Sequence, residues 1–205
     1  MYNTFIISLI NTGSGQHQQS ACNILPQTLS SCQTYNWNTK LFNAVNGYNL
    51  NESIWKDYGL SCPKKSKNDK KKIGDLPGAQ GCFLSHYVLW NRCIELNRPI
   101  VVLEDDAEII APLNEIITDF DLLKLHKPRI AGQSKLGHWS IGAFAYWISP
   151  LGAKKLVEFS KKNSPILVDK LIVSGVINWN YLTPPVVKLG PRIGSSTQPE
   201  KYPYR

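Results

Sequence analysis

Apolar residues recur along this chain with two different periods, and the switches between them mark its elements. Tyr2 to Ile10 is rich in aromatic and β-branched residues and stops at Asn11-Thr12-Gly13-Ser14-Gly15, the pattern of a strand running into a turn. Gln16 to Ser31 is compatible with a short helix broken by Pro26, and Trp37 to Val45 with a second strand closed by Asn46-Gly47. From Gly81 to Asn97, apolar positions such as Leu84, Val88 and Ile94 recur at helical spacing until Asn97-Arg98-Pro99 stops them. Pro99-Ile100-Val101-Val102-Leu103 follows as an unbroken apolar run of strand length, which suits a central strand covered on both faces. Gly142 to Ile148 predicts another strand, Pro150 to Lys161 an amphipathic helix opened by Ser149-Pro150, and Tyr181 to Leu189 a late extended segment. Strands alternating with helices predict an α/β fold.

Composition narrows this picture. A chain of 205 residues is long enough for one domain with a sizeable core, and 42% hydrophobic against 19% charged residues excludes a disordered chain. The apolar stretch Phe5 to Ile10 falls far short of the ~20 residues that cross a bilayer, so it reads as a buried strand. Five cysteines, odd in number and without a CxxC pair, argue against a zinc site or disulfide framework and suit a reducing cytoplasm. The net charge of +8 favours anionic partners: a diphosphate, an acidic glycan, a membrane surface touched peripherally, or nucleic acid. Six lysines lie between Lys64 and Lys72 among Ser, Asn and Asp, which predicts a solvated, mobile loop at 64–72 within a single domain spanning 1–205. No aromatic or glycine interleaves these lysines to stack bases, so a nucleic-acid-binding module is the weaker reading of the charge.

The candidate chemistry sits where the apolar strand ends, at Glu104-Asp105-Asp106. In open α/β sheets ligands bind beyond the carboxyl ends of the strands. Three adjacent carboxylates repel one another, and Mg²⁺ or Mn²⁺, with their preference for oxygen ligands, offset that repulsion. If the segment stays extended, Glu104 and Asp106 share one side as a ligand pair and Asp105 points the other way, free to bond a ribose. The competing reading makes the acids turn caps and solvated charges.

The run Gly81 to Ile109, GCFLSHYVLWNRCIELNRPIVVLEDDAEI, closely resembles glycosyltransferase family 25, the lipooligosaccharide and collagen galactosyltransferase family. Phe42-Asn43-Ala44-Val45-Asn46-Gly47 resembles another of its segments, and Gly142 to Ser149 with Gly152-Ala153 a third. The resemblance implies a GT-A-type single domain with a mixed central sheet flanked by helices. It also implies a UDP-sugar donor carrying galactose or glucose, a divalent metal (Mn²⁺ or Mg²⁺), inversion at the anomeric carbon, and a glycan, lipooligosaccharide or protein hydroxyl as acceptor. Carried over, Glu104 and Asp106 hold the metal, and Asp105 the metal or the donor ribose. Ser8, Ala44, Val45, Asn46 and Gly47 line the nucleotide side, and Ser85 and His86 belong to the donor pocket. Asp169 is the catalytic base on the acceptor side, with a helix cap as its other reading, while a helix histidine such as His86, beside Tyr87 and Trp90, is more often a packed, hydrogen-bonded residue. Trp139, Tyr146 and Trp147 are acceptor-side platform candidates for a sugar ring or, alternatively, core, and His138 lines the acceptor cleft or sits on a surface loop. The chain departs from the family after its first strand, where Asn11 to His17 stand in place of arginines. It departs again in having no histidine beyond His138, so that Gly194-Ser195-Ser196 or water would complete the metal shell. These departures motivate a rival, a nucleotide-sugar-binding protein of the same fold with little or no turnover.

Overall fold

A computed structural model describes residues 2–65, 73–127, 129–134 and 137–190. In chain order the elements are β1 (Asn3–Ser8), α1 (Gly15–Thr34), β2 (Thr39–Asn43), α2 (Ser53–Asp57), α3 (Pro77–Leu96), β3 (Ile100–Glu104), β4 (Ala107–Ile109), β5 (Leu122–Lys124), β6 (Arg129–Ser134), β7 (Gly137–Ile141), β8 (Ala145–Ile148), α4 (Pro150–Lys162), α5 (Val168–Leu171), β9 (Trp179–Tyr181) and β10 (Val187–Leu189). Single 3-10 turns occupy Gly47–Asn49 and Ile73–Asp75.

Six strands form one sheet in the order β2-β1-β3-β8-β5-β9. β1 is parallel to β2 and β3, β9 is parallel to β5, and β8 alone runs antiparallel, between β3 and β5. The sheet is therefore mixed, and helices cover both faces. Alternation along β3 assigns its side chains: Ile100 and Val102 join a core with Phe83, Leu84 and Trp90 of α3, while Val101 and Leu103 join a second core with Leu25 of α1. The apolar run of this strand is thus explained by two buried faces, each large side chain contributing roughly 1.5–3 kcal/mol.

Two elements differ from expectation. α1 continues for 20 residues through Pro26 rather than ending there. Pro26 is exposed, so the carbonyl whose donor it removes faces the side that water can reach. α3 begins at Pro77, four residues before the predicted start, because a proline in the first turn sacrifices no helical bond. It ends as expected, with Asn97 in the left-handed region at φ 45°. The Ser149 hydroxyl caps α4 by accepting from Gly152 N at 3.0 Å. The late extended segment resolves into β9 and β10, with β10 pairing with β4 just past the acidic residues. Most of the lysine-rich segment, residues 66–72, lies outside the described residues, as do Gly194, Ser195, Ser196 and the side chains of His138 and Trp139.

Candidate functional site

β1, β2 and β3 end at the same sheet edge, and a cleft of about 150 Å³ opens there. Its walls include Ser8 from β1, Ala44, Val45, Asn46 and Gly47 from the loop after β2, and Ser85 and His86 from α3. Glu104, Asp105 and Asp106 form its floor. The cleft also contains residues that sequence reasoning passed over: Cys82 of α3, and His17 and Tyr48, whose rings stack at 4.6 Å between centroids.

The acids do not continue as an extended strand. Glu104 is the last residue of β3, and Asp105 and Asp106 form a turn into β4. Glu104 keeps the alternation of Ile100 and Val102 and faces α3, where its Oε1 lies 3.4 Å from His86 Nε2. Asp105 turns toward α1: its side chain bonds Ser8, and its carbonyl accepts from Thr28 Oγ1 at 2.6 Å. The Asp106 carbonyl accepts from Gly190 N at 2.7 Å. The turn is thus pinned from both sides. Burial, offset in part by the Ser8 hydrogen bond, pushes the Asp105 carboxyl up to about 6. The expected pairing of Glu104 and Asp106 on one strand face is therefore replaced by a turn that gives each acid different neighbours. Among the described residues, the set of three whose ligand atoms lie within 4.8 Å of one another is Cys82, His86 and Glu104, not the three acids.

The loop after β2 is bound to α3 by main-chain contact. Ser85, fully buried, accepts from Val45 N at 2.9 Å and donates to Gly81 O at 2.7 Å, which commits its hydroxyl to holding the loop. A Cβ at Gly47 would lie 1.7 Å from Pro77 O, and one at Gly81 2.3 Å from Val45 O, so loop and helix touch at two positions that exclude side chains. The Asn46 amide donates to Thr12 O at 2.9 Å, and its carbonyl oxygen accepts from Tyr48 N at 3.0 Å.

Behind Glu104 runs a buried polar chain. Trp90 Nε1 donates to Tyr146 Oη at 3.0 Å, and Tyr146 Oη lies 2.7 Å from His86 Nδ1. Burial pushes the His86 imidazole down to about 4, so it is neutral at pH 7 and carries one proton. An ionised Glu104 can only accept, which places that proton on Nε2 and leaves Nδ1 to accept from the tyrosine. His86 is packed, with no exposed surface, and it also borders the cleft. Tyr146 and Trp147 correct the platform reading. Their side chains are 0% and 4% exposed, on opposite faces of β8, so neither offers a ring to an acceptor.

Asp169 lies inside α5, two residues after Leu167 at the cap position, so the helix-cap reading fails. Its carboxylate acts at electrostatic range on Cys82, His86 and Lys124 without forming part of the cleft wall. Lys124 is fully buried on β5, donates to Gly142 O at 2.8 Å, and is pushed down to about 8 by its burial.

The fold and cleft define an α/β protein with a cleft at the carboxyl ends of its parallel strands, bordered by the acidic residues that follow β3. Residues 1–135 match the family model described as glycosyltransferase family 25 (LPS biosynthesis protein), and the chain belongs to that family. Procollagen galactosyltransferase 1-B of Xenopus laevis is 27% identical over 183 residues, covering 77% of this chain and 29% of that protein. Lipooligosaccharide biosynthesis protein lex-1 of Haemophilus influenzae is 30% identical over 151 residues, 57% of this chain and 48% of that one. A Rattus norvegicus protein described as probable inactive glycosyltransferase 25 family member 3 is 24% identical over 166 residues, 70% of this chain and 29% of its own length. The chain thus spans between about a quarter and a half of the relatives it matches. No helix among the described residues is long and apolar enough to cross a membrane.

Proposed function

We propose that this chain transfers a hexose, galactose or glucose, from a UDP-sugar to a hydroxyl of a glycan, lipooligosaccharide or protein, with inversion, in the cytoplasm. The observation that carries the proposal is the meeting of the acidic turn 104–106 and the loop 44–47 in one cleft at the carboxyl ends of β1, β2 and β3. Glu104 and Asp106, which both line the cleft though they share no strand face, would hold Mn²⁺ or Mg²⁺ through the carboxylate oxygens that a hard cation prefers. Such a cation neutralises the charge that develops on a departing diphosphate.

The remaining roles fall to the chain itself. The Asp105 carboxyl, already bonded to Ser8, accepts from a ribose hydroxyl, while the loop 44–47 presents main chain to the nucleoside. His86 holds Glu104 in place through Nε2 and is itself oriented by Tyr146. Asp169 removes the proton from the acceptor hydroxyl as that oxygen attacks the anomeric carbon from the face opposite the diphosphate. The positive net charge suits an anionic acceptor, including one at a membrane surface.

UDP release from UDP-galactose and UDP-glucose in Mn²⁺ tests the proposal. The wild type is expected to turn over and Asp106→Ala to lose most of its rate. Equal rates would remove the enzyme reading. A second reading, nucleotide-sugar binding without turnover, is favoured by the departures after the first strand, where Asn11 to His17 stand in place of arginines, and by a relative described as probably inactive. It predicts calorimetric binding of UDP-sugar with no UDP released.

A further inference from the structure

We propose that Cys82, His86 and Glu104 form a binding site for one zinc-class divalent cation, different in chemistry from the oxygen-ligand pair assigned to Mn²⁺ or Mg²⁺. Cys82 and His86 stand four residues apart on α3, one turn on the same face, and β3 delivers Glu104 opposite them. Glu104 Oε1 lies 3.4 Å from His86 Nε2 and 4.0 Å from Cys82 Sγ, and all three ligand atoms lie within 4.8 Å of one another. Tetrahedral zinc with bonds of about 2.0–2.3 Å requires ligand atoms roughly 3.3–3.7 Å apart, so side-chain shifts below about 1 Å close the site.

Two further observations favour an ion over a mere hydrogen-bonded trio. His86 Nδ1 is held 2.7 Å from Tyr146 Oη, which itself receives Trp90 Nε1, so the ring is fixed from behind as metal-bound imidazoles are. All three ligands border the cleft, which gives the cation a route in and leaves a fourth position for water. Sulfur, nitrogen and a single carboxylate together select zinc or cobalt over magnesium or manganese. On binding, the Cys82 thiol proton leaves to solvent. Binding through Nε2 puts the imidazole proton on Nδ1, which then donates a hydrogen bond to the Tyr146 oxygen, and the tyrosine O–H rotates off the ring. Glu104 is common to both cation sites, so a bound zinc ion withdraws one ligand from the other. The absence of a CxxC pair had argued against zinc; an i, i+4 pair completed by a distant strand end evades that pattern.

The test is titration of the full chain with Co²⁺, read as the near-ultraviolet sulfur-to-cobalt charge-transfer absorption, which requires no turnover and so stands or falls apart from the transferase proposal. The expected result is one ion per chain, displaced by Zn²⁺, with the absorption abolished in Cys82→Ser and retained when the exposed Cys22 and Cys62 are both changed to serine. Tyr146→Phe, which removes only the support behind His86, weakens cobalt affinity roughly 10–100-fold. Glu104→Gln, at a partly exposed position, lowers affinity without loss of fold, and keeps the test valid if Cys82→Ser does not fold. A wild type without the absorption, or a band unchanged in Cys82→Ser, overturns the proposal.

Discussion

The two walls of the cleft are built differently. On the α3 side, Ser85, His86, Tyr146 and Trp90 are fully buried and bonded to one another or to main chain. On the other, His17 of α1 is half-buried and stacks on Tyr48 of the 3-10 turn after β2, which is 46% exposed. The acidic turn lies between, with Glu104 facing the first wall and Asp105 the second. A fixed wall preorganises charged groups, while a stacked and exposed one has fewer buried contacts to hold it in place.

The largest effect should come from the seam of the fixed wall. Gly81→Ala forces a Cβ against Val45 O, and since that neighbour is main chain the loop must move; a loss of about 3 kcal/mol in urea unfolding is expected. His86→Ala comes next, at about 2–3 kcal/mol, because it strands the Tyr146 hydroxyl and leaves Glu104 without its buried partner. His17→Ala, on the open wall, should stay within about 0.5 kcal/mol of wild type. If the two histidines cost the same, the contrast between walls fails.

Asp105 sharpens the comparison through pH. Its folded-state pKa, about 6, lies above the ordinary carboxyl value, so the folded chain holds this proton more tightly than the unfolded one. The associated stability is complete at pH values below the ordinary carboxyl pKa and is lost as pH rises through 6. Melting curves of metal-free Asp105→Asn should therefore match or fall below wild type near pH 4 and exceed it above pH 6; a difference independent of pH would contradict the assignment. The smallest effect is that of Tyr48→Ala, which removes an exposed stacking partner and should alter UDP affinity several-fold with little change in melting temperature.

The fixed wall was the more legible in sequence. The unbroken run Ile100 to Leu103 announced a strand with two covered faces, and the acids that follow fell in the cleft because strand ends and ligand sites coincide in such sheets. The periodicity of α3 placed Ser85 and His86 on one helix, but only tertiary structure shows that Ser85 spends its hydroxyl on the loop and His86 its nitrogens on Tyr146 and Glu104. Tyr146 and Trp147 were ambiguous because alternating aromatics in a strand read the same way whether one face is open or both are covered; here α-helices cover both. Pro26 misled for a related reason, since the cost of a proline depends on whether water can reach the carbonyl it frees. The His17–Tyr48 stack joins residues 31 positions apart, one in the first turn of α1 and one in the 3-10 turn after β2, and no local spacing encodes it.

Calorimetric titration of UDP with and without Mn²⁺, in wild type and in Asp106→Ala, tests the central claim most directly. The cation-assisted site predicts that Mn²⁺ tightens UDP binding to the wild type by more than about tenfold, or about 1.4 kcal/mol, and leaves Asp106→Ala unchanged. Equal UDP affinity in the presence and absence of Mn²⁺, or the same gain in both proteins, would contradict it.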